Sequence, residues 1–231
     1  MKTYVQQLID GDTAKAAFTA AKAMHGATDG YIAYPIFSGN ADAVLVRSGI
    51  QNGDFEQAST PVSWNQVGDT RILSKLGDLT PPSNQKMAIL TTGIGSAEEE
   101  YLAGTEGSVL SQTFQIPENV TTLSFVYDVV SEEPTEYIGT EYNDAFLVKL
   151  TVGTETYIIA SEDINTSIWY EIDGIDFEGG DSSTYHTMWK TVSYDISMFA
   201  GEFVKLEFIV YDVGDSIYDT AALIDCVCLS E

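Results

Sequence analysis

From Asn52 onward the chain is cut into short β-type runs by glycine, proline, asparagine and aspartate. This spacing constrains the fold more than any other feature. The runs are Lys86–Leu90, Ser108–Gln115, Thr122–Val130, Ala145–Val152, Glu155–Ser161, Trp189–Asp195, Val204–Asp212 and Thr220–Leu229. The clearest lies within 204–211. Val204, Leu206, Phe208 and Val210 fall on one face, and Lys205, Glu207, Ile209 and Tyr211 on the other. Period-two alternation of this kind marks an antiparallel strand with one face in a core. No helical period occurs among the runs. Residues 51–231 are therefore expected to form a mainly β, antiparallel, jelly-roll-like sandwich.

Residues 1–50 read differently, as an N-terminal extension. Ala14–Met24 is expected to form a short Ala-rich helix, with Asp12 or Thr13 as its N-cap and Gly26 as its stop. Its apolar positions are mostly alanine, so it needs a partner surface to be stable. Tyr31–Phe37 reads as an edge strand because Pro35 has no N–H to donate, and Ala43–Val46 is a further strand-like run. Such an extension can dock on a second copy and complete its sheet, so homo-oligomerisation through residues 1–50 is expected.

The charge separates the same two parts. Asp10, Asp12, Asp29 and Asp42 balance Lys2, Lys15, Lys22 and Arg47, so the net charge of -25 belongs entirely to the rest. A surface this negative repels nucleic-acid phosphates and anionic lipid, and it attracts divalent cations. No run approaches the ~20 apolar residues of a membrane span, and no leader pattern follows Met1 and Lys2. Cys226 and Cys228, two apart on one strand, are expected to share a face as small buried groups rather than form a strained disulfide. The two histidines, His25 and His186, fall in different segments, and there is no nucleophile elbow or phosphate-binding loop. Carboxylates are so abundant that a pair of them identifies nothing. No enzyme and no catalytic residue are expected.

The two ends of the β region carry a family signal. It opens with Asn52-Gly53-Asp54-Phe55-Glu56 and closes with Ala222-Leu223-Ile224-Asp225-Cys226-Val227. The pairing resembles the jelly-roll carbohydrate-binding-module-like superfamily, where the opening Glu and closing Asp help hold a structural calcium. The resemblance implies that role for Glu56 and Asp225. The Asn that usually follows the closing Asp is Cys226 here. A second resemblance rests on Ser131-Glu132-Glu133 with Tyr142-Asn143-Asp144-Ala145-Phe146, and on Val213-Gly214-Asp215-Ser216 with Asp219-Thr220-Ala221. Together these are similar to the bacterial choice-of-anchor group of extracellular domains. It implies a secreted β-sandwich on larger surface proteins, often without enzymatic activity.

The residues support a cation independently. Two acid-rich loops follow the runs Thr122–Val130 and Val204–Asp212, read here as adjacent inner strands. Their meeting would bring Glu132, Glu133, Asn143, Asp144, Asp215 and Asp219 together at one end. Carboxylates at that density repel unless a cation intervenes, and hard oxygen donors select Ca2+ over zinc or iron. Trp169, Tyr170 and Tyr185, in the long connection Asp163–Tyr185, are the candidates for stacking on a sugar, while Trp64 and Trp189 read as core. The expected function is a non-enzymatic, calcium-binding structural or adhesive module, extracellular or on a cell surface. It extends to a self-assembling surface or filament subunit with a glycan or surface partner. The alternative is a carbohydrate-binding module stapled by structural calcium.

Overall fold

The computed structural model describes residues 47–93, 106–177, 183–214 and 217–231. The Ala-rich helix and the strand-like runs expected within residues 1–46 lie outside them. Among the described residues there are thirteen strands, with a single 3-10 turn at Ser197–Phe199. They are Arg47–Ser48 (β1), Asn65–Val67 (β2), Asp69–Leu73 (β3), Met87–Thr91 (β4), Gly107–Gln115 (β5), Thr122–Ser131 (β6) and Ala145–Val152 (β7). Glu155–Asp163 (β8), Tyr170–Ile172 (β9), Thr184–His186 (β10), Lys190–Asp195 (β11), Phe203–Tyr211 (β12) and Thr220–Ser230 (β13) complete the set.

One sheet has the order β1-β5-β12-β7-β8, with β2 also on β5. The other has the order β3-β4-β13-β6-β10-β9, with β11 also on β6. The pairings for which a register is defined are all antiparallel. The fold is the expected β-sandwich, and each of the eight expected runs forms a strand. One placement differs. β6 and β12 are not neighbours in one sheet but belong to opposite sheets. Alternation reveals which face of a strand is buried, not which sheet the strand joins.

The alternation in β12 has the predicted consequence. Val204, Leu206, Phe208 and Val210 enter the main core with Leu110, Phe114, Phe146, Val148 and Leu150 of the same sheet. Leu123, Phe125, Tyr127, Val129, Ala222 and Ile224 meet them from the other sheet. Phe125 stands edge-on to Phe208, with ring centroids 5.2 Å apart. Trp64 lies 5.5 Å from Phe55 and 5.9 Å from Phe208, and its indole N–H donates to the Asn52 carbonyl (3.1 Å). Trp64 is thus core, with its polar edge satisfied.

The long connection Asp163–Tyr185 is more structured than its composition suggests. It contains β9 and packs Ile172, Ile175 and Phe177 over the outer face of the second sheet, against Met87, Ile89, Val130 and Leu223. Trp189 joins this smaller cluster. Three isolated apolar residues among Gly, Asp and Ser give no periodic signal, so only their tertiary packing identifies them. β3 escaped notice for a related reason, since Asp69 and Arg71 interrupt its apolar content.

Candidate functional site

The opening loop and the closing strand meet as the sequence suggests. The Val227 N–H donates to the Gly53 carbonyl (2.9 Å), which ties the loop to β13. Between Asp225 and Cys228 the register of β13 against β6 slips by a bulge. Cys226 takes φ of 57° there, so Val227 turns into the core and only Cys228 keeps the outward parity of Asp225. The two cysteines therefore do not share a buried face. Both are free thiols, Cys226 half-buried and Cys228 exposed.

Asp225 is fully buried on this outer face. Its oxygens accept main-chain N–H groups from Cys226 (2.6 Å) and Ser83 (3.3 Å). Burial pushes its carboxyl up to about 6, against those two N–H groups and helped by the nearby charge of Glu56. Glu56 Oε1 accepts N–H groups from Gln85 (2.8 Å) and Lys86 (2.7 Å). The Lys86 ammonium bonds the carbonyls of Glu56 and Ala58, both at 3.1 Å. Near Glu56, the buried Asp225 carboxylate thus has two main-chain N–H groups and the Cys226 thiol as partners but no basic one. The two carboxylates suit a hard cation such as calcium.

The second predicted group lies at the end of the sandwich where β4, β6 and β12 finish and β7 and β13 begin. Glu132, Glu133 and Asp144 are buried, and Asp219 is half-buried. Asp144 Oδ1 accepts the Val213 N–H (2.9 Å), and Oδ2 accepts the Thr220 hydroxyl (2.7 Å). Glu133 Oε2 accepts the Asp144 N–H (3.4 Å), and Glu132 Oε1 accepts the Phe177 N–H (2.6 Å). Asn143 Oδ1 holds the Asn165 N–H (2.9 Å), so it braces a loop. Asp215 lies outside the described residues. Burial first, then the charge of Glu106, raises the Asp219 carboxyl above its ordinary range.

Asp212 was missed by the sequence reading and is the most unusual acid in this group. It is 1 % exposed. Asp144, Thr92 and Asp219 all act on it, yet neither of its carboxylate oxygens makes a hydrogen bond of ordinary geometry. Burial first, then the charge of Asp144, drives its carboxyl far above the usual carboxylate range. A signal was available. Asp212 continues the inward parity of Leu206, Phe208 and Val210, and Asp144 continues that of Leu150, Val148 and Phe146. Among the described residues, no three His, Cys, Asp or Glu side chains form a group able to hold a metal ion by themselves. A cation at either place needs main-chain, hydroxyl or water oxygens as well.

The three aromatic candidates do not form one platform. Trp169 packs against the main core, and its N–H donates to the Ile164 carbonyl (3.1 Å). Tyr170 is 48 % exposed and pairs with His186 across β9 and β10, while Tyr185 pairs with Glu171 and so faces the opposite way. His186 Nδ1 lies 2.8 Å from a carboxylate oxygen of the buried Asp128, a contact that anchors β10 to β6. A different aromatic group stands near the acid-rich end. Tyr137 lies 5.5 Å from Tyr142 and 5.0 Å from Tyr218, with Ile138 and Ile217 exposed beside them in sequence. No helix among the described residues is long and apolar enough to cross a membrane.

No family model matches the sequence, and no curated protein matches it. Among solved structures the chain is similar to TmCBM61 in complex with beta-1,4-galactotriose, at 14 % identity and a TM-score of 0.45, covering 80 % of this chain and 99 % of that one. It is similar to the K2 cleaved adhesin domain of Lys-gingipain, at 16 % identity and a TM-score of 0.46, covering 78 % and 96 %. It is also similar to a cyclase from Fischerella sp., at 15 % identity and a TM-score of 0.42, covering 78 % and 93 %. At these identities each likeness is one of fold alone.

Proposed function

We propose that this chain is a non-enzymatic, calcium-binding extracellular module with a structural or adhesive role, of the choice-of-anchor type. One observation carries the reading. The opening loop and the last strand meet at two carboxylates, Glu56 and Asp225, of which Asp225 is buried with no basic partner. Glu56 and Asp225 would hold the ion, with main-chain or water oxygens completing its shell. Bound there, calcium would neutralise both acids and tie the first residues of the sandwich to the last. The strongly acidic composition suits an extracellular setting, where free calcium is plentiful. Glu162, another buried acid, is held by Lys190, Tyr127 and Ser167 and braces the fold.

The test is a melt of the full chain with calcium and with chelator. A ligand that binds only the folded state stabilises it by mass action, about 2.7 kcal/mol at a hundredfold excess over Kd. Chelation should lower Tm by several degrees, and Asp225→Asn should shrink that difference. A melt indifferent to chelator overturns the reading.

Carbohydrate binding is the second reading, favoured by the Tyr137, Tyr142 and Tyr218 cluster and by exposed Tyr170. Aromatic faces stack on sugar rings, and neighbouring acids can accept their hydroxyls. Glycan-array binding that falls at least tenfold in Tyr218→Ala or Tyr170→Ala would support it. No binding by the wild type removes it.

A further inference from the structure

We infer that a hard divalent cation binds inside the far end of the sandwich, between Asp144 and Asp212. The inference rests on the calcium-module reading but concerns a different place and different residues. The argument starts from strand register. β12 pairs with β7 with Val210 opposite Phe146 and Tyr211 opposite Ala145. One step further sets Asp212 opposite Asp144. On the other side Tyr211 pairs with Gly107, and the Asp212 N–H donates to the Glu106 carbonyl (3.0 Å). Three acids, Glu106, Asp212 and Asp144, therefore stand in a row across three neighbouring strands. Each continues a parity that is inward-facing in its own strand, as Ser108, Val210 and Phe146 are buried there.

Like charges directly opposite on a sheet face repel, and burial strengthens that repulsion. The groups around the pair do not cancel it. Asp144 receives a main-chain N–H and the Thr220 hydroxyl. Asp219 adds negative charge from the facing sheet, and Thr92 adds a hydroxyl. Asp212 is unpartnered in geometry on both oxygens and almost completely buried. Two facing carboxylates, one of them unpartnered on both oxygens, are the hard oxygen donors that such a cation takes. Asp212 stands between Glu106 and Asp144, and the site takes Asp144 because it is the buried one of those two.

Calcium titration by calorimetry, with terbium(III) luminescence as a second probe, tests this on the full chain. The wild type should bind two equivalents. Asp225→Asn should retain one, and Asp212→Asn should retain the other. At its own site Asp212→Asn should weaken binding at least tenfold. If Asp225→Asn binds none, the inference is overturned, whether or not Asp212→Asn folds. If Asp212→Asn keeps both equivalents and melts above the wild type in chelator, the pair shares a proton instead, and the inference is again overturned. A wild type that binds a single equivalent, lost in Asp225→Asn, overturns this site and leaves the Glu56–Asp225 reading intact. A wild type that binds nothing overturns both.

Discussion

Gly53 shows how little room the opening loop has. A Cβ placed there would lie 1.9 Å from the Val227 carbonyl oxygen, a backbone atom that cannot swing aside. Gly53→Ala should therefore destabilise by about 3 kcal/mol, at the upper end for overpacking, and this is measurable by urea melts. Cys226 gives a prediction of opposite sign. Its φ of 57° lies in the left-handed region, which asparagine and glycine tolerate better than other residues. Cys226→Asn should be neutral or stabilising by up to ~1 kcal/mol, and Cys226→Val should lose about 1–2 kcal/mol through β-branching at positive φ. A melt in which Val is tolerated better than Asn would contradict the strained-bulge account. The sequence carried the residue at this bulge but not the bulge itself. Two small residues in a hydrophobic strand look like continued alternation until the partner strand sets the register.

At the scale of elements, one buried network closes an open side of the sandwich. Glu162 of β8 accepts Tyr127 of β6 (2.6 Å), Lys190 of β11 (2.7 Å) and the Ser167 hydroxyl (2.5 Å). The first sheet is thereby joined to the second through one carboxylate. Burial alone would raise the Glu162 carboxyl, but Lys190, Ser167 and Tyr127 outweigh it, and the net direction is down. A carboxyl depressed in the folded state contributes stability above its unfolded value, and that contribution is lost as pH falls through its folded value. Acid unfolding should therefore begin below the ordinary carboxylate range for this group. Glu162→Gln should cost about 2 kcal/mol at neutral pH and flatten the acid limb of the stability profile. An unchanged acid limb in Glu162→Gln would assign that limb to other carboxylates. The strands this network joins were legible from alternation alone. Their pairing was not, since Glu162, Tyr127 and Lys190 are far apart in sequence and none has a local signature.

Over the whole molecule the charge and the N-terminal extension set the behaviour. A net charge of -25 on a chain of 231 residues works against compaction through self-repulsion. Moderate sodium chloride should raise Tm by a few degrees by screening, and calcium should raise it further at the same ionic strength. Equal effects of calcium and sodium at matched ionic strength would leave only screening. Residues 1–50 carry none of the net charge, so a neutral segment can approach a strongly acidic neighbour without added repulsion. If they mediate assembly, light scattering should find oligomers of the full chain that disappear when residues 1–46 are removed. Monomers in both would confine the chain to a single-copy role.

By itself the sequence determined that residues 51–231 form a β-sandwich, that eight of its runs are strands, and which face of Val204–Tyr211 is buried. Those follow from period-two patterning and turn residues, which are local, whereas the pairing of Glu56 with Asp225 was only implied by a resemblance. Only the tertiary structure decided that β6 and β12 lie in opposite sheets, that Trp169 packs half-buried against the main core, and that Asp212 stands unpartnered opposite Asp144. Sheet membership, packing and cross-strand register are long-range. They arise from which strands find one another, and no window along the chain contains both partners.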